Sequence, residues 1–198
     1  VLYTSGSTGR PKGVMVTQGN LLNAYYGWES AYRLADEVRS HLQMASFGFD
    51  VFAGDLVRAL GSGGKLVLCP KEILLDAARL SALIRREQID GAEFVPLVLR
   101  NLVEYLQESR QTLDDIRLVI AGSDAWHAAD HRSAQQVFGP RTRLVNSYGL
   151  TETTIDSTYF EGDVGELPDH AQVPIGRPFP NVRVYVLDSL RQPAPPGV

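Results

Sequence analysis

Near its start the sequence runs Tyr3-Thr4-Ser5-Gly6-Ser7-Thr8-Gly9-Arg10-Pro11-Lys12-Gly13, which concentrates four aliphatic hydroxyls, three glycines and a lysine in eleven residues. A loop of this kind supplies backbone N–H groups, hydroxyl donors and one cation together, the set of groups that a polyphosphate requires. It is not a Walker A loop: Pro11 precedes the lysine, Gly13 stands where that motif has Ser or Thr, and an extended Val14-Met15-Val16 follows where a helix would open. A solvated hairpin is the other reading of the same residues. The second chemical segment is Asn146-Ser147-Tyr148-Gly149-Leu150-Thr151-Glu152. Tyr148 offers a flat stacking face and Gly149 a backbone that another group can approach. Thr151 can bond a phosphate oxygen, and Glu152 is a hard oxygen ligand suited to Mg²⁺. A capped turn would use the same residue types.

These segments must be held by the elements between them. Apolar runs at Leu42–Ala45, Lys65–Cys69, Ala92–Val95, Leu118–Ala121 and Thr142–Asn146 predict buried strands. Helical periodicity predicts helices over Asp50–Leu60, Asp76–Gln88, Leu97–Gln107 and Ala128–Phe138, the second with Leu80, Leu83 and Ile84 on one face. Strand–helix alternation at this spacing means an α/β fold with a mostly parallel, helix-covered sheet, whose ligands bind at the carboxyl ends of the strands. Beyond about Asp163 the pattern changes. Val173–Ile175 and Val182–Leu187 predict strands with no helix between them, punctuated by Pro174, Gly176, Pro178 and Pro180. A subdomain boundary is expected near Asp163–Ala171.

Composition narrows the function. A net charge of −4 in 198 residues argues against nucleic acid or an anionic membrane surface as the main partner. The one cysteine, Cys69, excludes an internal disulfide and a cysteine-based zinc cluster, and its apolar flank predicts a buried structural thiol. No apolar stretch is long enough to span a bilayer and no basic-then-apolar leader opens the chain, so a cytoplasmic protein is expected. His41, His127, His131 and His170 share no ligand-like spacing and read as solvated or structural.

The Thr4–Gly13 loop, followed in order by the Asn146–Glu152 segment, resembles the motifs of the adenylate-forming enzymes, the superfamily of acyl-CoA synthetases, luciferases and the adenylation domains of nonribosomal peptide synthetases. The second segment matches their N-x-Y-G-P-T-E pattern with Leu150 in place of proline. The resemblance implies that Thr4, Ser5, Gly6, Ser7, Thr8 and Gly9 embrace the phosphates of ATP, with Lys12 supporting them. It implies that Asn146, Tyr148 and Gly149 flank adenine, that Thr151 meets the α-phosphate, and that Glu152 holds Mg²⁺. Ala121-Gly122-Ser123 falls where the family has another adenine-facing loop; Ser123 stands where a glutamate is common. Lys12, Thr151 and Glu152 are the residues expected to serve the reaction itself.

Phe49-Asp50 is similar to the F-D-x-S region of nonribosomal adenylation domains, in which an aspartate binds the α-ammonium of an amino acid. A cation in a partly dry pocket needs such an anion; helix N-capping would also explain an aspartate here. Carried over residue by residue, the family's pocket comprises Asp50, Val51, Gly54, Glu93, Val119, Ala121, Ser147, Ile155 and Asp156. Gly54, Ala121 and Ser147 are small, and Glu93 and Asp156 add two carboxylates. The resemblance therefore implies a substrate with a distal cation: ornithine first, then lysine or arginine. The alternatives are that these carboxylates pair with a cation of the protein or point away, leaving a non-basic amino acid, an acyl or aryl acid, or a nucleotide-binding remnant without chemistry. The family transfers the acyl group to the phosphopantetheine thiol of a carrier protein, beside condensation domains. The resemblance covers only the middle of such a domain: residues 1–165 as the central α/β part and 166–198 as the first strands of a barrel-like subdomain, without the C-terminal lid. The chain alone is expected not to complete adenylation.

Overall fold

The computed structural model describes residues 1–4, 11–195 and 197. Ser5, Gly6, Ser7, Thr8 and Gly9 of the first motif lie outside the described residues. The segments on either side pair as an antiparallel two-stranded sheet, β1 (Leu2–Thr4) with β2 (Lys12–Val14), in a register that sets Thr4 opposite Lys12. The hairpin brings the hydroxyl and the ammonium that open and close the motif to one end.

Helix α1 (Gln18–Tyr32) was not anticipated from the sequence, although its start is encoded there. Thr17 and Asn20 form a reciprocal cap: Thr17 Oγ1 accepts from the Asn20 N–H, and Asn20 Oδ1 accepts from the Thr17 N–H, each at 3.1 Å. The helix buries Trp28 and Tyr32 and ends at Arg33, in the left-handed region with φ 54°. A short helix α2 (Leu34–Glu37) leads into the sheet.

The main sheet contains β3 (Ser40–Gln43), β4 (Lys65–Leu68), β5 (Gly91–Phe94), β6 (Leu118–Ala121) and β7 (Arg143–Tyr148), in the order β4-β3-β5-β6-β7 and all parallel. The helices are α3 (Asp50–Gly61), α4 (Ala77–Arg86), α5 (Pro96–Glu108) and α6 (Ala128–Val137). The expected α/β class and parallel sheet are therefore present, with strand ends displaced by at most two residues and Leu118–Ala121 matched at both ends. Alternation along the strands divides the core. Ala92, Phe94, Val119, Ala121 and Leu144 join the cluster packed under α4, α5 and α6, while Leu118, Ile120 and Val145 join the one packed under α1. Helix α3 packs beside α1 on that second face.

The C-terminal part differs from expectation. Residues 173–175 and 182–187 form no strand, and the sheet is not closed into a barrel. The sheet instead gains two antiparallel strands, β8 (Thr158–Glu161) and β9 (Arg177–Pro178). The expected boundary segment stays on the main body: the Ala128 N–H donates to the Ala171 carbonyl at 2.9 Å and the Val173 N–H to the Trp126 carbonyl at 2.8 Å. A β-rich stretch needs a neighbouring edge, and among the described residues the only β-pairing of 182–187 is an isolated bridge at Leu187. Cys69 is half-buried with its thiol pKa raised by burial, as suits an inert structural thiol. Among the described residues no helix is long and apolar enough to cross a membrane.

His41, on β3, is buried, and its Nε2 has no partner among the described residues. Burial, aided by the nearby Arg58, lowers its pKa to about 4. The folded value lies below the unfolded ~6.5, so its contribution to stability is complete above that pH and is lost as pH falls toward the folded value. We expect acidification from pH 7 to pH 5 to cost the wild type ~2 kcal/mol more than the His41→Asn variant. Urea titrations of both proteins at the two pH values measure the difference, and equal losses would refute it.

Candidate functional site

The order β4-β3-β5 means that the chain leaves β3 toward one edge and returns on the other side of it, a switch point where such sheets open a crevice. Met44, Ala45 and Ser46 after β3 and Glu93, Phe94 and Val95 at the end of β5 line a cavity of about 270 Å³ there. Phe49, Val51, Leu74, Val98 and Ser123 complete its wall. A second cavity of about 350 Å³ opens beside the end of β7, lined by Ser123, Trp126, Asn146, Tyr148, Leu150 and Ile175 among others. Ser123, exposed and at φ 69°, is shared by the two.

Asp50 is the first residue of α3, with Phe49 in the cap position, so it is a first-turn residue and not the N-cap. Its Oδ1 accepts from the Val51 N–H at 2.8 Å, and its Oδ2 accepts from the Thr151 hydroxyl at 2.6 Å. That second bond spans 101 residues of sequence and joins the two cavities' motifs directly. Tyr148 is 46% exposed at the second cavity, where a flat ligand can stack on it. Asn146, two residues earlier on β7, is on the same face and lines the same cavity; its amide is held by the protein, Nδ2 donating to the carbonyls of Val173 at 3.1 Å and Pro174 at 2.9 Å. It thereby ties residues 173–174 to the rim of this cavity. Glu152 is exposed and makes no hydrogen bond or ion pair among the described residues.

Gly149 has a reason that its place in the motif does not supply. A Cβ there would stand 1.8 Å from the Ile155 carbonyl oxygen and 2.6 Å from the Asp156 Cα, so the glycine admits the protein's own backbone and not only a ligand. The intervening turn is a 3₁₀ turn over Thr151–Thr153 followed by Thr154 at φ 67° and Ile155 at φ 72°. A β-branched residue in the left-handed region is strained, and such strain collects at working sites. The turn folds the chain back so that Asp156 returns beside Ser147.

What Asp156 meets there corrects the expected pocket. Arg58, one turn beyond Gly54 on α3 and 2% exposed, extends between three carboxylates. Its Nη2 pairs with Asp55 at 2.9 Å and with Glu93, and its Nη1 pairs with Asp156 at 3.2 Å. Asp156 also accepts from the Trp28 indole N–H at 2.9 Å and from the Ser147 hydroxyl. The guanidinium lies 4.7 Å from the centre of the Trp28 ring. Glu93 and Asp156 therefore have a cation of the protein beside them. Gly54 does not leave depth either: a Cβ there would meet Ile155, Arg58 and Trp28 within 3.3 to 3.5 Å. Burial opposes the charge on Arg58, but Glu93, Asp55 and Asp156 outweigh it and hold the guanidinium protonated. Burial raises Glu93 to about 8 and Asp55 to about 6, against the pull of Arg58.

Strand register corrects two more residues. Val119 pairs with Ala92 and Ala121 with Phe94, and all four belong to the core under α4–α6. Glu93 is level with Ile120, and Ile120 with Val145, on the face that carries Arg58. The side chains of Val119 and Ala121 thus pack on the opposite face of the sheet from those of Glu93, Ile120 and Val145. Ile120 and Gly122 are on the face of Glu93: a Cβ on Gly122 would lie 3.0 Å from Glu93 Oε1 and 3.6 Å from the Ser147 carbonyl. A slip of one residue in a strand moves every side chain to the opposite face.

With this geometry in place, residues 1–198 match the family described as AMP-binding enzyme. The chain belongs to that family. Gramicidin S synthase 2 of Brevibacillus brevis is 41% identical over 198 residues, and bacitracin synthase 2 of Bacillus licheniformis is 40% identical over 198. Those residues are all of this chain but 4% and 8% of those proteins, so the chain spans a small part of the length of these relatives. Among solved structures, the Vibrio cholerae adenylation domain AlmE in complex with glycyl-adenosine-5'-phosphate superposes with a TM-score of 0.81 at 25% identity. That likeness covers 98% of this chain and 36% of that one.

Proposed function

We propose that this AMP-binding chain contributes the amino-acid and nucleotide sites of an adenylation domain, which forms an aminoacyl-AMP and pyrophosphate from ATP and an amino acid. The observation that carries this reading is the 2.6 Å bond from the Thr151 hydroxyl to Asp50. It sets an anion suited to an α-ammonium one side chain away from a hydroxyl suited to the α-phosphate. An amino acid bound through its ammonium at Asp50 presents its carboxylate toward Thr151. One carboxylate oxygen attacks the α-phosphorus, the bond to the bridging oxygen breaks, and pyrophosphate leaves. A hydroxyl that donates to Asp50 cannot also donate to a phosphate, so arrival of the ammonium at Asp50 frees Thr151 for the nucleotide.

Tyr148, Gly149, Gly122 and Ser123 form the wall for adenine, Asn146 flanks it from the same face of β7, and Thr4 and Lys12 hold the phosphates together with the loop between them. An exposed, unpaired carboxylate such as Glu152 fits Mg²⁺, which takes one or two carboxylates beside substrate phosphates. The ion supplies charge neutralisation on the phosphates when bound. The aminoacyl group then passes to the phosphopantetheine thiol of a carrier protein, as part of a multidomain synthetase with condensation domains.

For the amino acid we propose a basic side chain, ornithine before lysine or arginine, read by the carboxylates at Glu93 and Asp156. Two observations favour a second reading, a neutral apolar amino acid: Arg58 already pairs with both carboxylates, and Met44, Phe94, Val95 and Val98 line the cavity. ATP–pyrophosphate exchange by the full-length gene product, screened over the common amino acids plus ornithine and over aryl and fatty acids, tests the proposal. Exchange that responds to amino acids supports it. Exchange only with aryl or fatty acids, or none with any acid, overturns it.

A further inference from the structure

The buried cluster on α3 holds one cation against three carboxylates. Asp55, Glu93 and Asp156 are 5 to 9% exposed and Arg58 is 2% exposed, so the formal charge of the group is −2 when all are ionised. The other neighbours add no positive charge. From α1 come the Trp28 indole and the Tyr32 hydroxyl, from β7 the Ser147 hydroxyl, and from β3 His41, which burial keeps neutral at physiological pH. A buried excess of negative charge is costly unless a further cation joins it or a carboxyl keeps its proton.

The pairing is not uniform around the cluster. Asp156 uses both oxygens within the protein, Oδ2 toward Arg58 and Trp28 and Oδ1 toward Ser147. Glu93 is bound through Oε2, which pairs with Arg58 Nη2; no side-chain hydrogen bond or ion pair among the described residues involves Oε1. Gly122 leaves that oxygen uncovered, since a Cβ would stand 3.0 Å from it, and Glu93 lines the cavity at the switch point.

We infer that Arg58 is a positioning residue for side-chain recognition: it grips Glu93 by one oxygen and leaves the other, beside Gly122, for a distal primary ammonium on the bound amino acid. The inference rests on the amino-acid-activating reading above and refines it. A compact ammonium suits a single free oxygen, whereas a guanidinium seeks two parallel acceptors, and Arg58 already holds the partner oxygen. The protein's own arginine thus works as a filter against arginine as substrate. Arg58→Lys keeps the charge but loses the fork that reaches Asp55, Glu93 and Asp156 together, so Glu93 is no longer held in one orientation.

The test is exchange by the full-length gene product with ornithine, lysine, arginine and leucine. For the wild type we expect kcat/KM for ornithine or lysine to exceed that for arginine and for leucine by at least about tenfold. Arg58→Lys should raise KM for ornithine and lysine by about tenfold, leaving kcat and the KM for ATP within about twofold. A role in folding alone would shift all substrates together and would not split KM from kcat. Arginine or leucine preferred by the wild type overturns the inference while the amino-acid reading stands, and needs no variant. An Arg58→Lys protein with unchanged substrate preference overturns it equally. Exchange with none of the common amino acids or ornithine removes the reading beneath it, and the inference with it.

Discussion

Replacing Asp50 with asparagine is expected to lower kcat/KM for the activated amino acid by about 100- to 1,000-fold, because removing one partner from a desolvated charge pair costs ~2–5 kcal/mol. Asparagine keeps the shape: its amide oxygen can still accept from the Val51 N–H while its NH2 group donates to the Thr151 hydroxyl oxygen, so the start of α3 and a residue 50–Thr151 link survive. What is lost is the negative charge facing the α-ammonium. The loss should appear mainly with the amino acid varied, and the KM for ATP should move far less, since Tyr148 and the phosphate loop are untouched. Exchange kinetics of the two proteins, with each substrate varied in turn, decide the matter. Equal kcat/KM in variant and wild type would remove Asp50 from the amino-acid site.

Gly149→Ala is expected to destabilise the fold by about 3 kcal/mol, at the upper end of overpacking costs. The Cβ would fall 1.8 Å from a backbone carbonyl, which no rotamer change relieves, and the neighbouring Thr154–Ile155 turn is already strained. At roughly 2–4 °C per kcal/mol for a chain of this size, Tm should fall by about 6–12 °C. Gly48→Ala is the control, because a Cβ there meets nothing within 4 Å and the backbone is not left-handed; its Tm should stay near that of the wild type. Thermal unfolding followed by circular dichroism measures both. A Gly149→Ala protein as stable as the control would show that the turn relaxes freely.

The cost at Gly149 bears on function because the same turn delivers Asp156 to Arg58 and Ser147. The strain at Ile155 therefore belongs to the arrangement that holds the carboxylates. Loosening the turn should weaken side-chain selection before it weakens the sheet, whose parallel strands and helix layers lie outside it.

Local pattern was enough to identify the five parallel strands of the sheet and the two chemical segments, but not the antiparallel β8 and β9. Apolar runs of four or five residues between amphipathic stretches have few folded outcomes, and a parallel helix-covered sheet is the one observed. The Thr4–Gly13 and Asn146–Glu152 segments were legible because hydroxyls, glycines and charges crowd them beyond what a turn needs. Helix α1 was missed: the Thr17–Asn20 cap and the Leu21, Ala24, Tyr25, Trp28 spacing mark it, but its mixed polarity hid it. The strands expected at 173–175 and 182–187 failed because strand pattern states a propensity, while a strand also requires an edge to pair with.

Three matters were decided by the tertiary structure alone. Whether Val119 and Ala121 or Ile120 and Gly122 face the site depends on strand register, and a four-residue apolar strand carries no mark of which face is which. Whether Glu93 and Asp156 are free depends on Arg58, whose partners stand 3, 35 and 98 residues away, and no spacing rule reaches across such distances. Why residue 149 is glycine depends on where the chain returns after an irregular turn. The sequence by itself determined which chemical groups this protein carries and the layered fold that presents them. The tertiary structure decided which of those groups still have a free hand, because charge pairing and side-chain facing are properties of neighbours in space and not of neighbours along the chain.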